Sequence, residues 1–122
     1  MLALSSSVRY FMYHEPTDMR FGINSLAGLV RNRLGFDPMN GDVFVFLGKR
    51  SNQIRFLQWD RDGFAMYIKK LEQGTFERPA VRGNAVTSGQ LSLLLQGVRL
   101  VSVRYRKRYN PFIKDSEIGC IF

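Results

Sequence analysis

An α+β fold, an antiparallel meander sheet with two short amphipathic helices packed on it, is what this sequence predicts, and three observations carry that expectation. The run Val43-Phe44-Val45-Phe46-Leu47 is apolar at every position, the pattern of a central strand covered on both faces. Two further strand-like runs follow it across turn-forming residues, so that consecutive hairpins build the meander. Two other stretches, one before these strands and one after them, space their apolar residues as helices do. The chain has 122 residues, 45% of them apolar, which is enough for one compact domain with its own core.

Taken in order, Ser7 to Tyr13 is rich in β-branched and aromatic residues and reads as a first strand that Pro16 ends. Asp18, or Thr17, is placed to accept backbone N–H groups at the start of a helix. Ile23, Leu26, Ala27, Val30 and Leu34 form its apolar stripe, with Arg31 and Asn32 on the other side. Gly35 is suited to a positive φ at the helix end, and Pro38 prevents continuation. After the Val43–Leu47 strand, Gly48 to Asn52 is a polar, basic loop. Gln53 to Asp60 then sets Ile54 and Phe56 on one face and Arg55, Leu57 and Trp59 on the other, with Trp59 expected in the core. Asp62-Gly63 reads as a tight turn into a strand from Phe64 to Lys70.

Gly74, Pro79 and Gly83 punctuate an irregular stretch with short extended pieces near Phe76 and Val86. Thr87 and Gln90 stand at capping-box spacing ahead of a second helix with Leu91, Leu94 and Leu95 as its stripe and Gly97 at its close. Val98 to Tyr105 reads as a last strand. The expected organisation is a single α+β domain over residues 1–105 and a basic, partly disordered tail over 106–122.

Several function classes find no support. No apolar run approaches the ~20 residues needed to span a membrane, and Met1 to Ser7 has no basic region of the kind that opens a signal peptide. The single Cys120 cannot form an internal disulfide. Together these point to a cytoplasmic protein. With one histidine, His14, and one cysteine there is no basis for a zinc site, and no glycine-rich nucleotide loop occurs. Asp60 and Asp62 are the carboxylate pair best spaced for a divalent metal, but they flank Arg61 and precede Gly63, which is how a hairpin turn is written. The reading is a non-enzyme with no catalytic residue, metal, cofactor or small-molecule substrate.

Charge is the informative feature. The formal net charge is +8, and it is unevenly placed. Between Val98 and Lys114 lie Arg99, Arg104, Arg106, Lys107, Arg108 and Lys114, with no acid among them. Such asymmetry calls for an acidic partner, most simply a nucleic-acid backbone; the plainer alternative is a solvated tail. Tyr105 and Tyr109 interleave the cations and are suited to stacking on unpaired bases. Lys49 and Arg50 at a hairpin tip form a second basic group, and Lys69 and Lys70 a third. The expected DNA-binding set is therefore Arg99, Arg104, Tyr105, Arg106, Lys107, Arg108, Tyr109, Lys49 and Arg50.

The blocks of the chain resemble a known family. Thr17-Asp18-Met19-Arg20 with Gly22, Leu26 and Val30 is followed by Asp37-Pro38 with Gly41 and Val43-Phe44-Val45-Phe46. Then come Trp59-Asp60 with Gly63-Phe64, Lys69-Lys70-Leu71-Glu72 with Gly74 and Phe76, and Gln90-Leu91 with Leu94-Leu95 and Gly97. In that order and spacing they are similar to the accessory TnpB (second open reading frame) proteins of insertion sequence family sixty-six, which are distinct from the RNA-guided nucleases of the same name. The chain departs from the pattern at Phe21, Asn24 and Glu77-Arg78-Pro79. The resemblance implies a protein encoded beside a separate DDE-type transposase that it assists, and it carries over no catalytic residue. Arg20 is read as a partner contact, because an arginine near a helix N-terminus opposes the helix dipole. The alternative to DNA binding is a purely protein-binding adaptor for the transposase.

Overall fold

The computed structural model describes residues 4–78 and 83–96. They form a five-stranded sheet in the order β4-β3-β2-β1-β5, with β1 Tyr10–Met12, β2 Val43–Leu47, β3 Gln53–Asp60, β4 Gly63–Lys70 and β5 Ala85–Val86. Helix α1, Ile23–Leu29, continues as a π-helical segment Val30–Leu34, and α2 covers Ser88–Gln96. The α+β class holds, and β2, β3 and β4 are the expected meander. The departure is at β1, which pairs parallel with β2, Phe11 opposite Phe44. A parallel pair needs a crossover, and α1 lies within that connection. The strand Val98 to Tyr105, the close of α2 at Gly97 and the tail 106–122 lie outside the described residues.

Strand β2 shows why the sheet sits where it does. All five of its residues are buried, and their alternation feeds two separate apolar layers. On one face Tyr10, Met12, Val43, Val45, Leu47, Ile54 and Phe56 pack with Phe76 and with Leu91 and Leu94 of α2. On the other, Phe11, Phe44, Phe46 and Leu57 pack with Leu26, Ala27 and Val30 of the first helix. The two helices therefore cover opposite faces. At about 1.5–3 kcal/mol for each fully buried large apolar side chain, β2 alone contributes more than most local features of the fold.

The helix boundaries correct one expectation. Asp18 does not cap α1, which starts at Ile23 with Gly22 as its N-cap and no side-chain cap. Asp18 instead accepts the Arg20 backbone N–H at 2.9 Å, closing a local turn of the kind Asp favours. The C-terminal expectation is met: Gly35 takes φ +74°, and its N–H and that of Phe36 both reach the Val30 carbonyl. The Thr87–Gln90 capping box is present in both directions. Gln90 N–H donates to Thr87 Oγ1 at 3.0 Å and Thr87 N–H to Gln90 Oε1 at 2.9 Å.

The β3–β4 hairpin also differs in detail. Asp60 pairs with Gly63, so the two loop residues are Arg61-Asp62 rather than Asp62-Gly63. Arg61 carries the positive φ, +58°, at a position where this hairpin type favours glycine. Trp59 is half-buried rather than in the core, its ring edge-on to Phe64 at 5.0 Å. It sits at the margin because β4 is an edge strand with no buried residue.

Candidate nucleic-acid interface

The basic turn and the first motif block meet at one end of the sheet. After β1 the chain keeps to the side of β2: Tyr13 N–H bonds the Val45 carbonyl and Thr17 N–H the Leu47 carbonyl, each at 2.9 Å, and Thr17 bridges to Gly48. This lays residues 17–20 against the β2–β3 turn. Gly48 is needed for the close approach, since a Cβ there would stand 2.9 Å from Met19 Cγ.

The turn itself is firmly held. Ser51 N–H bonds the Gly48 carbonyl at 3.0 Å, leaving Lys49 and Arg50 as the exposed central residues. Behind it, Leu71 N–H bonds the Asn52 carbonyl at 2.7 Å and Phe76 N–H the Ser51 carbonyl at 2.6 Å. Lys70, last residue of β4, lies alongside. The result is a hollow of about 450 Å³ lined by Thr17, Asp18, Met19, Arg20, Gly48, Lys49, Arg50, Asn52 and Lys70. Four cations line it against a single carboxylate.

That carboxylate is engaged. Arg20 forks onto Asp18, Nη2 to Oδ2 at 2.6 Å and Nε to Oδ1 at 3.0 Å, with the arginine side chain 90% exposed. The guanidinium hydrogen bonds first, then the Arg20 N–H and the charges of Arg20 and Lys49, hold the Asp18 carboxyl well below the usual carboxylate range. Arg20 thus presents its remaining N–H donors in a fixed orientation. It precedes α1, so the dipole reasoning offered for it does not apply; its position in the hollow is what distinguishes it. The floor holds Thr17, 2% exposed, whose hydroxyl has no hydrogen-bond partner among the described residues.

Two arginines that sequence reasoning passed over brace the walls. Arg55, on the α1 face of β3, donates Nη1 to the Phe21 carbonyl at 2.7 Å and Nη2 to the Met19 carbonyl. Arg78 donates to the carbonyls of His14 at 3.0 Å, Leu47 at 3.2 Å and Gly48 at 3.3 Å, and burial pushes its pKa down. Their charges serve the backbone on either side of the hollow. Each follows no local motif; the only sequence signal is a lone cation in an otherwise strand-like or irregular stretch.

Of the residues expected to bind DNA, Lys49 and Arg50 are brought together with Arg20 and Lys70. Arg99, Arg104, Tyr105, Arg106, Lys107, Arg108 and Tyr109 lie outside the described residues. Asp60, at the end of β3, and Asp62, in the turn, are both exposed, and no group of three or more His, Cys, Asp or Glu forms among the described residues. His14 Nε2 bonds the Gly83 carbonyl. No helix among the described residues is long and apolar enough to cross a membrane.

The described residues thus form an α+β scaffold that carries a cationic hollow braced by two part-buried arginines. Residues 8–105 match the family described as "IS66 Orf2 like protein", and the chain belongs to that family. It is thereby a transposition accessory protein. Two relatives from Sinorhizobium fredii are similar along most of their length. The uncharacterized protein y4jC is 34% identical over 113 residues, covering 91% of this chain and 97% of the relative. The uncharacterized protein y4hO is 35% identical over 100 residues, covering 80% and 87%. No solved structure matches the chain.

Proposed function

We propose that this accessory protein is a non-catalytic DNA binder that holds element DNA for a separate DDE-type transposase, in the cytoplasm. The observation that supports it best is the convergence of Arg20, Lys49, Arg50 and Lys70 on one hollow from three separate parts of the chain. Phosphate oxygens are the natural counterpart of such a set, because guanidinium and ammonium donors gain from neutralising them and release condensed counterions. The sequence run Arg104 to Arg108, with Tyr105 and Tyr109, adds further cations and two rings to the same task.

A salt titration of DNA affinity tests this. If about six phosphates are neutralised, log affinity falls against log salt with a slope near −5. Changing Arg20, Lys49, Arg50 and Lys70 together to Ala flattens the slope by about 3 to 4, at roughly one per cation removed. Ala at Arg104, Arg106, Lys107 and Arg108 gives an independent reduction. Absence of salt-sensitive binding to any DNA rejects the proposal; co-purification with the transposase that survives nuclease treatment would then favour the adaptor.

A further inference from the structure

We propose that two copies of this chain pair through β4, edge to edge and antiparallel, about a two-fold axis at Met66. Strand β4 is eight residues long and ends the sheet, with no strand beyond it among the described residues. Its hydrogen-bonding phase is fixed by Leu71, whose N–H bonds the Asn52 carbonyl. Alternation through the β3–β4 register then turns Lys69, Tyr67, Ala65 and Gly63 toward β3. The backbone groups of Phe64, Met66, Ile68 and Lys70 face away from β3, and no strand among the described residues pairs with them. Unpaired edges of this length are templates for another strand, and this one carries no proline.

The side chains select the partner and the register. Two-fold pairing centred on Met66 sets Met66 against Met66 and Phe64 against Ile68, all on the α1 face of the sheet. Ile68 is 47% exposed, one of few large apolar residues so exposed among those described, and this pairing covers it twice. The same register brings the turn residue Asp62, which precedes β4, beside Lys70 of the partner copy at both ends, so opposite charges meet where the paired strands end. Centring one residue later, on Tyr67, keeps the backbone phase but sets Asp62 against Glu72 and Phe64 against Lys70. Only the Met66 register matches apolar with apolar and acid with base, and it does so with a second copy of the same edge. Such an isologous contact closes on itself and does not propagate.

Sedimentation of the nuclease-treated, DNA-free full chain across the micromolar range tests this. The expected result is a mass twice that of the chain. Ile68→Lys, at an exposed position that spares the fold, should weaken dimerisation at least tenfold with an unchanged circular dichroism spectrum. Asp62→Lys should weaken it too, and adding Lys70→Asp in the same chain should restore it. A chain that stays monomeric throughout, or a dimer indifferent to Ile68→Lys, overturns the proposal. So does failure of the charge-swapped pair to recover. None of these readings involves DNA; Lys70 serves both proposals, whereas Ile68 lies outside the cationic hollow, so Ile68→Lys separates dimerisation from DNA binding.

Discussion

At the residue scale, the Asp18–Arg20 pair sets the character of the hollow. Its fork restrains Arg20 and supplies the one acid there. Asp18→Asn should raise DNA affinity and steepen the salt slope by up to about 0.9, the increment of one further neutralised phosphate, as read by anisotropy at several salt concentrations. The pair also has a pH signature. A depressed carboxyl pKa means the pairing is intact above the ordinary carboxylate range and is lost only as pH falls through the lowered value. Asp18 lies at the surface, its side chain partly covered by Arg20, so the sensitive readout is its own carboxyl titration by NMR. Its midpoint should lie below the usual range and return toward it in Arg20→Ala. Lys49 and Arg50 were legible in the sequence as a basic turn. Arg55 and Arg78 were not, because an arginine that bonds carbonyls distant in sequence looks like any other surface cation until the chain is folded.

At the scale of elements, the two helices differ in how they begin. Helix α2 has both arms of its capping box, and Thr87→Ala should cost about 1 kcal/mol in chemical denaturation. Helix α1 has none: Gly22 sits at its N-cap with φ −87°, and a Cβ there meets nothing within 4 Å. Gly22→Asp should therefore stabilise by about 0.5–1 kcal/mol, through a new cap and a less flexible unfolded chain. The β3–β4 turn offers a similar gain. Arg61→Gly lets the turn keep its positive φ without the Cβ clash and should stabilise by roughly 0.5–1 kcal/mol in chemical denaturation. These elements were legible by type. The strands of the meander, the stripe of the first helix and the capping box all follow from period and punctuation. The start of α1 was not, because Asp18 had two uses for its side chain, and the sequence does not say that a turn closed on Arg20 outcompetes a helix cap.

At the scale of the molecule, β2 joins two apolar layers that nothing else in the described chain connects so fully. Phe44→Ala should cost about 3–5 kcal/mol, as large-to-small changes at closed core sites do, and thermal denaturation would show it directly. The sequence foretold that both faces of this strand are covered, since an unbroken apolar run has no other use in a sheet. It did not foretell that β1 joins it in parallel. A three-residue strand carries no mark of direction; only the crossover through α1 shows it. That topology has a kinetic consequence. The β2–β3–β4 hairpins close over short loops and should form early in refolding, whereas the β1 pairing spans a long loop and comes late. Lys49, Arg50 and Lys70 are gathered by the hairpins alone, but residues 17–20 reach them only when β1 has docked. In a stopped-flow experiment, recovery of polyanion capture should therefore lag the appearance of sheet signal, so that competence for ligand reports the last step of maturation rather than the first.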